Sequence, residues 1–283
     1  MKVVVFGASG LLGRAILREW QGDEVIGLSS RDVDIRESEH VHDLLRRQRP
    51  DCIVLASAYT DVDGCESNRE LAFAVNRDGA ANVAQAAKAL GSRLIFLSSD
   101  YVFDGSQRTP YEANAARCPL GVYGQSKAQA EVQLFDLVPD CCILRTSWVF
   151  GADGKCFPAT ILRLAESRTH IDVVDDQRGS PTYSVDLARA IIELCRRNTS
   201  GIVHATNSGD CSWFEFAQEI VRCAGLSTQV RPISSAQMPR PAPRPAYSVL
   251  SPESLRRFGM ALPTWHDGLQ RYLSERANQR GVA

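Results

Sequence analysis

Val3-Val4-Val5-Phe6-Gly7-Ala8-Ser9-Gly10-Leu11-Leu12-Gly13 carries an apolar, mostly β-branched run into a glycine-rich turn and from there straight into a helical pattern. An unbroken apolar run suits a strand covered on both faces. Glycines in the turn after such a strand let the backbone bend tightly, approach a pyrophosphate and pack the next helix onto the sheet. The phosphates would meet free amides at the positive end of a helix dipole. The spacing is Gly-x-x-x-x-x-Gly with Gly10 inside, so it departs from the two-glycine start of the common dinucleotide fingerprint. It also lacks the Lys-Ser/Thr of a nucleoside triphosphate loop. Gly7, Gly10 and Gly13 at the head of a βαβ unit are therefore read as a dinucleotide site.

Outward from this turn the first half alternates two periods. Apolar runs at 2–6, 24–28, 52–56, 93–97 and 141–145 are separated by helical patterns at about 11–20, 37–49, 67–90 and 121–138. That alternation predicts an α/β, Rossmann-like doubly wound parallel sheet with right-handed crossovers. Beyond residue 150 the rhythm loosens, with helical patterns near 157–168, 184–197, 212–224 and 264–276 and a short strand near 201–205. The expected organisation is a dinucleotide-binding domain over 1–150, also receiving about 180–200, and a smaller substrate-binding lobe mainly over 151–283. The five prolines between 231 and 246 forbid regular helix and point to an ordered loop lining a cleft.

Composition narrows the partners. With 32 Lys+Arg against 33 Asp+Glu the net charge is −1, which offers no electrostatic footprint for nucleic acid or an anionic membrane. No stretch approaches 18 consecutive apolar residues, and Met1-Lys2 runs directly into a strand pattern with no leader-like segment, so a cytoplasmic location is expected. Nine cysteines, none at the two-residue spacing of a zinc or redox hook, read as buried free thiols in a reducing compartment, and no protein-built metal site is expected. Periodicity leaves the oligomeric state open, a homodimer included.

Cofactor choice is read about 20 residues after the glycine turn, where an acid would hold the ribose hydroxyls of NAD and an arginine the extra phosphate of NADP. Ser29-Ser30-Arg31 stands there, two hydroxyls and a guanidinium suited to a phosphate, followed by Asp32 and Asp34. NADPH is favoured, and NADH stays open. Tyr123 and Lys127 lie four apart, on one helical face. An ammonium beside a phenol favours its ionised form and would bring Tyr123 toward working range as an acid–base group. Ser99, after the fourth strand, lies where open α/β sheets bind ligands and can hydrogen-bond a substrate carbonyl beside Tyr123.

The glycine turn and the Ser/Tyr/Lys set resemble the extended short-chain dehydrogenase/reductases. More closely, the chain is similar to the dTDP-4-dehydrorhamnose reductase family from Val3 to about Leu273. Supporting blocks are Tyr59 to Ser67 with Val75-Asn76, Arg145 to Gly151, Asp176 to Thr182, and Arg244-Pro245 before Ser248-Val249-Leu250. The resemblance implies NADPH-dependent reduction of the 4-keto group of dTDP-4-dehydro-6-deoxy-L-mannose. It assigns Tyr123 as proton donor, with Lys127, Ser99 and the neighbouring carboxylate Asp100. It places sugar contacts on Val62, Tyr101 and Trp148, and cofactor contacts on Ser9, Gly10, Leu11, Leu12, Asp34, Ile35, Ala56, Ser57 and Ala58. Leu55 to Tyr59 and Asp61 to Gly64 depart from the family's usual wording. Two other readings stand beside it: a reductase or epimerase for another nucleotide-linked 4-keto-deoxysugar, and a non-catalytic subunit like the regulatory subunit of methionine adenosyltransferase, whose Ser-Ser-Asp-Tyr-Val-Phe-Asp-Gly wording recurs at 98–105.

Overall fold

The computed structural model describes residues 1–281, the last two by backbone alone; residues 282 and 283 of the expected C-terminal lobe lie outside the described residues. Strands β1 (Lys2–Phe6), β2 (Glu24–Leu28), β3 (Cys52–Leu55), β4 (Arg93–Ser99) and β5 (Cys142–Thr146) form the central sheet. They are joined there by a later strand, β10 (Gly201–His204), and the order is β10-β5-β4-β3-β1-β2 with every pairing parallel. The order reverses between β1 and β3, and such a switch point opens a crevice at the carboxyl ends of the strands.

Strict alternation along these strands divides the core. Val3, Val5, Cys52, Val54, Ile95, Leu97, Cys142 and Leu144 pack toward α1 (Leu11–Glu19) and α8 (Ser184–Arg196). Val4, Phe6, Ile53, Leu55, Leu94, Phe96 and Ile143 pack toward α2 (Ser38–Gln48), α5 (Ala80–Leu90) and α6 (Val122–Leu137). Both faces are thus buried, which is why the strands read as continuous apolar runs.

The region read as one helix over 67–90 is divided. A separate short helix, α3 (Val62–Ser67), ends where that region begins, and within it α4 (Arg69–Phe73) and a π-helical turn, Ala74–Gly79, precede α5. Asn68 leaves helical geometry at φ −126°, and the π turn carries Asn76, whose side chain bonds both backbone polar groups of Tyr59 and the Ser126 hydroxyl. A π turn inserts one extra residue into a helix, frequently at functional sites.

A third cluster, centred on Phe150, Phe216, Trp265 and Tyr272, lies outside the sheet. It is built from α7 (Phe157–Ala165), α9 (Trp213–Cys223) and α11 (Trp265–Gly281), with α10 (Glu253–Arg256) packed instead near β10. Three two-stranded ribbons complete this half: β6 (Val149–Phe150) with β9 (Thr182–Tyr183), β7 (His170–Val174) with β12 (Gln229–Ile233), and β8 (Arg178–Gly179) with β11 (Cys211–Ser212). The β7–β12 pair went unread in the sequence because Pro232 and the polar residues around it break the strand pattern. The rest of the proline-rich segment is ordered, but it does not line the main cavity. Instead Arg240 and Arg244 pair with Asp63, whose carboxylate also accepts from the Ala242 amide, so the segment straps onto α3.

One cysteine expectation needs correction. Cys52 on β3 and Cys195 on α8 are paired as a disulfide, while the other seven cysteines are free. The partners are 143 residues apart in sequence and meet only because α8 covers β3, so no local spacing announced them. Among the described residues no helix is long and apolar enough to cross a membrane.

Gly13 allows α1 to sit directly on the turn: a Cβ there would stand 2.1 Å from the Gly7 carbonyl oxygen and 2.7 Å from Ala8 Cα. Gly13→Ala would gain roughly 1 kcal/mol of helix propensity, but both obstacles are backbone and cannot swing away. Overpacking of this kind costs ~1–3 kcal/mol. The variant should therefore lose stability in urea unfolding; an unchanged or raised midpoint would contradict the tight α1–turn contact.

Candidate active site

The carboxyl ends of β1, β3, β4 and β5 border one cavity of about 740 Å³, within the usual size of a small-molecule site. At one end it is lined by Gly7, Ser9, Gly10, Leu11, Leu12 and Gly13, by Ser30, Asp34 and Ile35, and by Ala56, Ser57 and Ala58. Helix α1 begins at Gly10 with no side-chain cap and no acid in its first turn, which leaves its leading amides and dipole available to an anion. Gly7 takes φ +84°, and a Cβ on it would strike the Ala56–Ser57 backbone, so the turn lies flat against the end of β3. These residues fit a dinucleotide.

Two residues read as cofactor contacts fall outside the lining. The Ser29 hydroxyl donates to Asp32 at 2.6 Å, as does its amide at 2.8 Å, so this serine closes a turn. Arg31 is exposed, and its guanidinium makes no hydrogen bond or ion pair among the described residues. Arg36, unread in the sequence, does line the cavity. It grips Asp34 through Nε–Oδ1 at 3.0 Å and Nη2–Oδ2 at 2.5 Å, so the Asp34 carboxylate is already engaged.

At the other end Tyr123, Lys127, Ser98, Ser99 and Asp100 share the same cavity. Gly124 makes this possible, because a Cβ there would lie 2.1 Å from the Tyr101 carbonyl oxygen; glycine lets α6 close onto the turn after β4. The helix start is held by the Glu66 carboxylate, which accepts from the Val122 amide at 2.8 Å, and by Asn76 through Ser126. Tyr101 and Tyr123 meet edge to face at 5.9 Å.

Asp100 is buried and accepts from the hydroxyls of Ser99 at 2.8 Å and Ser248 at 2.6 Å. Burial pushes its carboxyl up to about 6, against the pull of these two donors. Lys127 is 1% exposed, with Nζ 4.0 Å above the Phe96 ring; burial pulls the amine down to about 7, and the Glu131 charge works against that fall. Glu131, one turn further along α6, is fully buried. It accepts from Arg145 Nε at 2.9 Å and Nη2 at 2.6 Å, from Arg117 Nε at 2.6 Å and from Ser98 Oγ at 2.5 Å. Burial alone would raise its pKa; these donors, Arg145 foremost, hold it below the ordinary glutamate value.

The structure does not give Tyr123 the acidity expected of it. Burial, followed by the Asp100 charge, raises the phenol's pKa, and the Ser99 hydrogen bond only partly offsets them. The phenol consequently rests protonated.

Val62, Tyr101 and Trp148 line the remaining wall, and Trp213 joins them. The indoles of Trp148 and Trp213 stack at 3.5 Å and 7°. Trp148 adopts φ +48°, an unusual backbone for so bulky a residue, and Gly179 supplies the space its ring needs. Trp213 and the lining residue Lys155 escaped the sequence reading. Neither belongs to a motif, and only the folding of α9 and the 151–155 segment toward the sheet brings them to the cavity.

The family model described as the RmlD substrate binding domain matches residues 1–278. The dTDP-4-dehydrorhamnose reductase of Mycobacterium tuberculosis is 39% identical over 291 aligned positions, covering 99% of this chain and 95% of the relative. A dTDP-4-keto-6-deoxy-D-glucose reductase of Streptomyces niveus is 37% identical over 261, covering 91% of each. The crystal structure of the Bacillus anthracis dTDP-4-dehydrorhamnose reductase in complex with NADP superposes with a TM-score of 0.95 at 36% identity, over 97% of this chain and 99% of that one. This chain belongs to the dTDP-4-dehydrorhamnose reductase family, the family of the RmlD substrate binding domain.

Proposed function

We propose that this protein uses NADPH to reduce the 4-keto group of dTDP-4-dehydro-6-deoxy-L-mannose to dTDP-L-rhamnose. The observation that carries this reading is the convergence of Tyr123, Lys127 and Ser99 on the same cavity that the glycine turn lines. A reduced nicotinamide bound there supplies the hydride for the carbonyl carbon. Tyr123, kept protonated by burial and Asp100, is ready to donate its proton to the oxygen as negative charge grows on it. Ser99, whose hydroxyl proton is given to Asp100, can hold that oxygen once the proton turns from the carboxylate to the substrate. Lys127 supports the phenolate left behind, most effectively when it carries its charge. Val62, Tyr101 and the Trp148–Trp213 stack give a deoxysugar an apolar and aromatic wall.

The commitments of the nearby acids support NADPH over NADH. Asp32 is occupied by Ser29 and Asp34 by Arg36, while Arg31 stands exposed and unpaired beside the lining residue Ser30. A 2′-phosphate at Ser30 could draw in the free Arg31 guanidinium from just outside the lining, whereas ribose hydroxyls would compete for an engaged carboxylate.

The direct test follows NADPH oxidation with dTDP-4-dehydro-6-deoxy-L-mannose and with other dTDP-4-keto-deoxysugars; turnover confined to another sugar would reassign the substrate. Tyr123→Phe should retain NADPH binding but reduce substrate at least ~100-fold more slowly, and near-normal turnover would remove Tyr123 as the acid. The pH profile tests Lys127. An amine held at about 7 is charged below that pH and discharges above it. Accordingly, kcat/KM for NADPH, which reports the free enzyme, should fall as pH rises beyond about 7, with Lys127→Met uniformly slow and lacking that limb. A wild-type profile flat from about pH 6 to 9 would mean that this charge is unused.

A further inference from the structure

Among the described residues three cations line the cavity: Arg36, Lys127 and Lys155. Arg36 is held by Asp34, and Lys127 is buried at the catalytic end. Lys155 is exposed and makes no hydrogen bond or ion pair among the described residues. Its segment is nevertheless fixed in place. Asp153 accepts from Arg18 Nη1 at 2.7 Å, and Arg18, on α1, also pairs with Glu275 of α11 at 3.2 Å. Gly151 and Gly154 lie against the Leu11 side chain, where a Cβ on Gly154 would sit 3.2 Å from Leu11 Cβ. On the other side Lys155 is followed by Cys156, the N-cap of α7, and by Phe157, packed 4.5 Å from the Trp213 ring. The 151–155 segment therefore crosses over the start of α1 with one free ammonium at the cavity.

The glycine turn leaves a charge to be met there. The amino end of a helix amounts to roughly half an elementary charge, well short of a doubly charged diphosphate. Arg14 is nearby, but its Nε donates to the Ser9 carbonyl at 3.0 Å and it does not line the cavity. An anion drawn from water into a cavity needs a counter-charge.

We infer that Lys155, carried over α1 by the tethered 151–155 segment, is a diphosphate-binding residue of this cavity. The inference rests on the dinucleotide reading above. The chemistry is shared by two sources, the pyrophosphate of NADPH and the diphosphate of the sugar nucleotide. The contact of the segment with Leu11 places Lys155 nearer the first.

Calorimetric titration of the full chain with NADP⁺ and, separately, with dTDP distinguishes these sources. Lys155→Met should bind NADP⁺ about 10-fold more weakly, with a shallower salt dependence and unchanged dTDP affinity. The reverse pattern assigns the sugar nucleotide as the source. Equal affinity of wild type and variant for both probes overturns the inference while leaving the dinucleotide reading intact. Failure of the wild type to bind NADP⁺ removes that reading and this inference together. Because Lys155 has no hydrogen-bond or ion-pair partner among the described residues, its loss should leave thermal unfolding unchanged. Asp153→Asn, which frees the tether but keeps the lysine, should weaken the same probe by a smaller factor; full retention alongside a weakened Lys155→Met would limit the role to the lysine alone.

Discussion

The buried carboxylate of Glu131, held by Arg145, Arg117 and Ser98, fixes how α6 sits on the sheet. Arg145 is itself 0% exposed on β5, bonds the Ala113 carbonyl and lies 5.0 Å over the Phe103 ring. Removing one partner of such a buried pair strands the other charge, at about 3–5 kcal/mol. The pair therefore ties α6 to β5 at Glu131, and breaking it would leave a buried charge unmet. Tyr123, Lys127 and Glu131 are four apart in succession, so anchoring the third sets the other two at the mouth of the crevice.

That anchoring also shapes the site's electrostatics. Glu131 is the charge that limits how far burial lowers the Lys127 pKa, and Arg145 keeps that carboxylate ionised. Across the cavity Asp100 presses the phenol toward its neutral form while orienting Ser99. The result is an acid kept loaded and an amine poised near neutrality, an arrangement suited to delivering a proton at a ketone oxygen. Two distant parts of the chain hold the walls: Ser248 on Asp100, and the Arg240–Arg244 strap on Asp63 beside Val62.

The central sheet was legible because burial on both faces demands continuous apolar strands, and the glycine turn because only glycine tolerates the backbone contacts at Gly7 and Gly13. The same physics made Tyr123, Lys127 and Ser99 readable: strand ends and helical spacing place them at one edge. The helical region after β3 was read as continuous since its composition is helical throughout, yet Asn76 finds its partners only through a π turn. Ser29 and Arg31 were read from position and residue type, but folding commits the Ser29 hydroxyl to Asp32 and leaves Arg31 outside the cavity lining.

Local pattern thus determined which segments become strands and helices, and which residue types the chemistry requires. Tertiary structure decided the quantities that depend on distance and burial: the raised pKa of Tyr123, the weakened charge of Lys127, the Trp148–Trp213 stack, the Cys52–Cys195 pairing and the approach of Lys155 to α1. Desolvation and through-space contact between segments a hundred or so residues apart leave no periodic trace along a chain, because the energy resides in the neighbours that folding supplies.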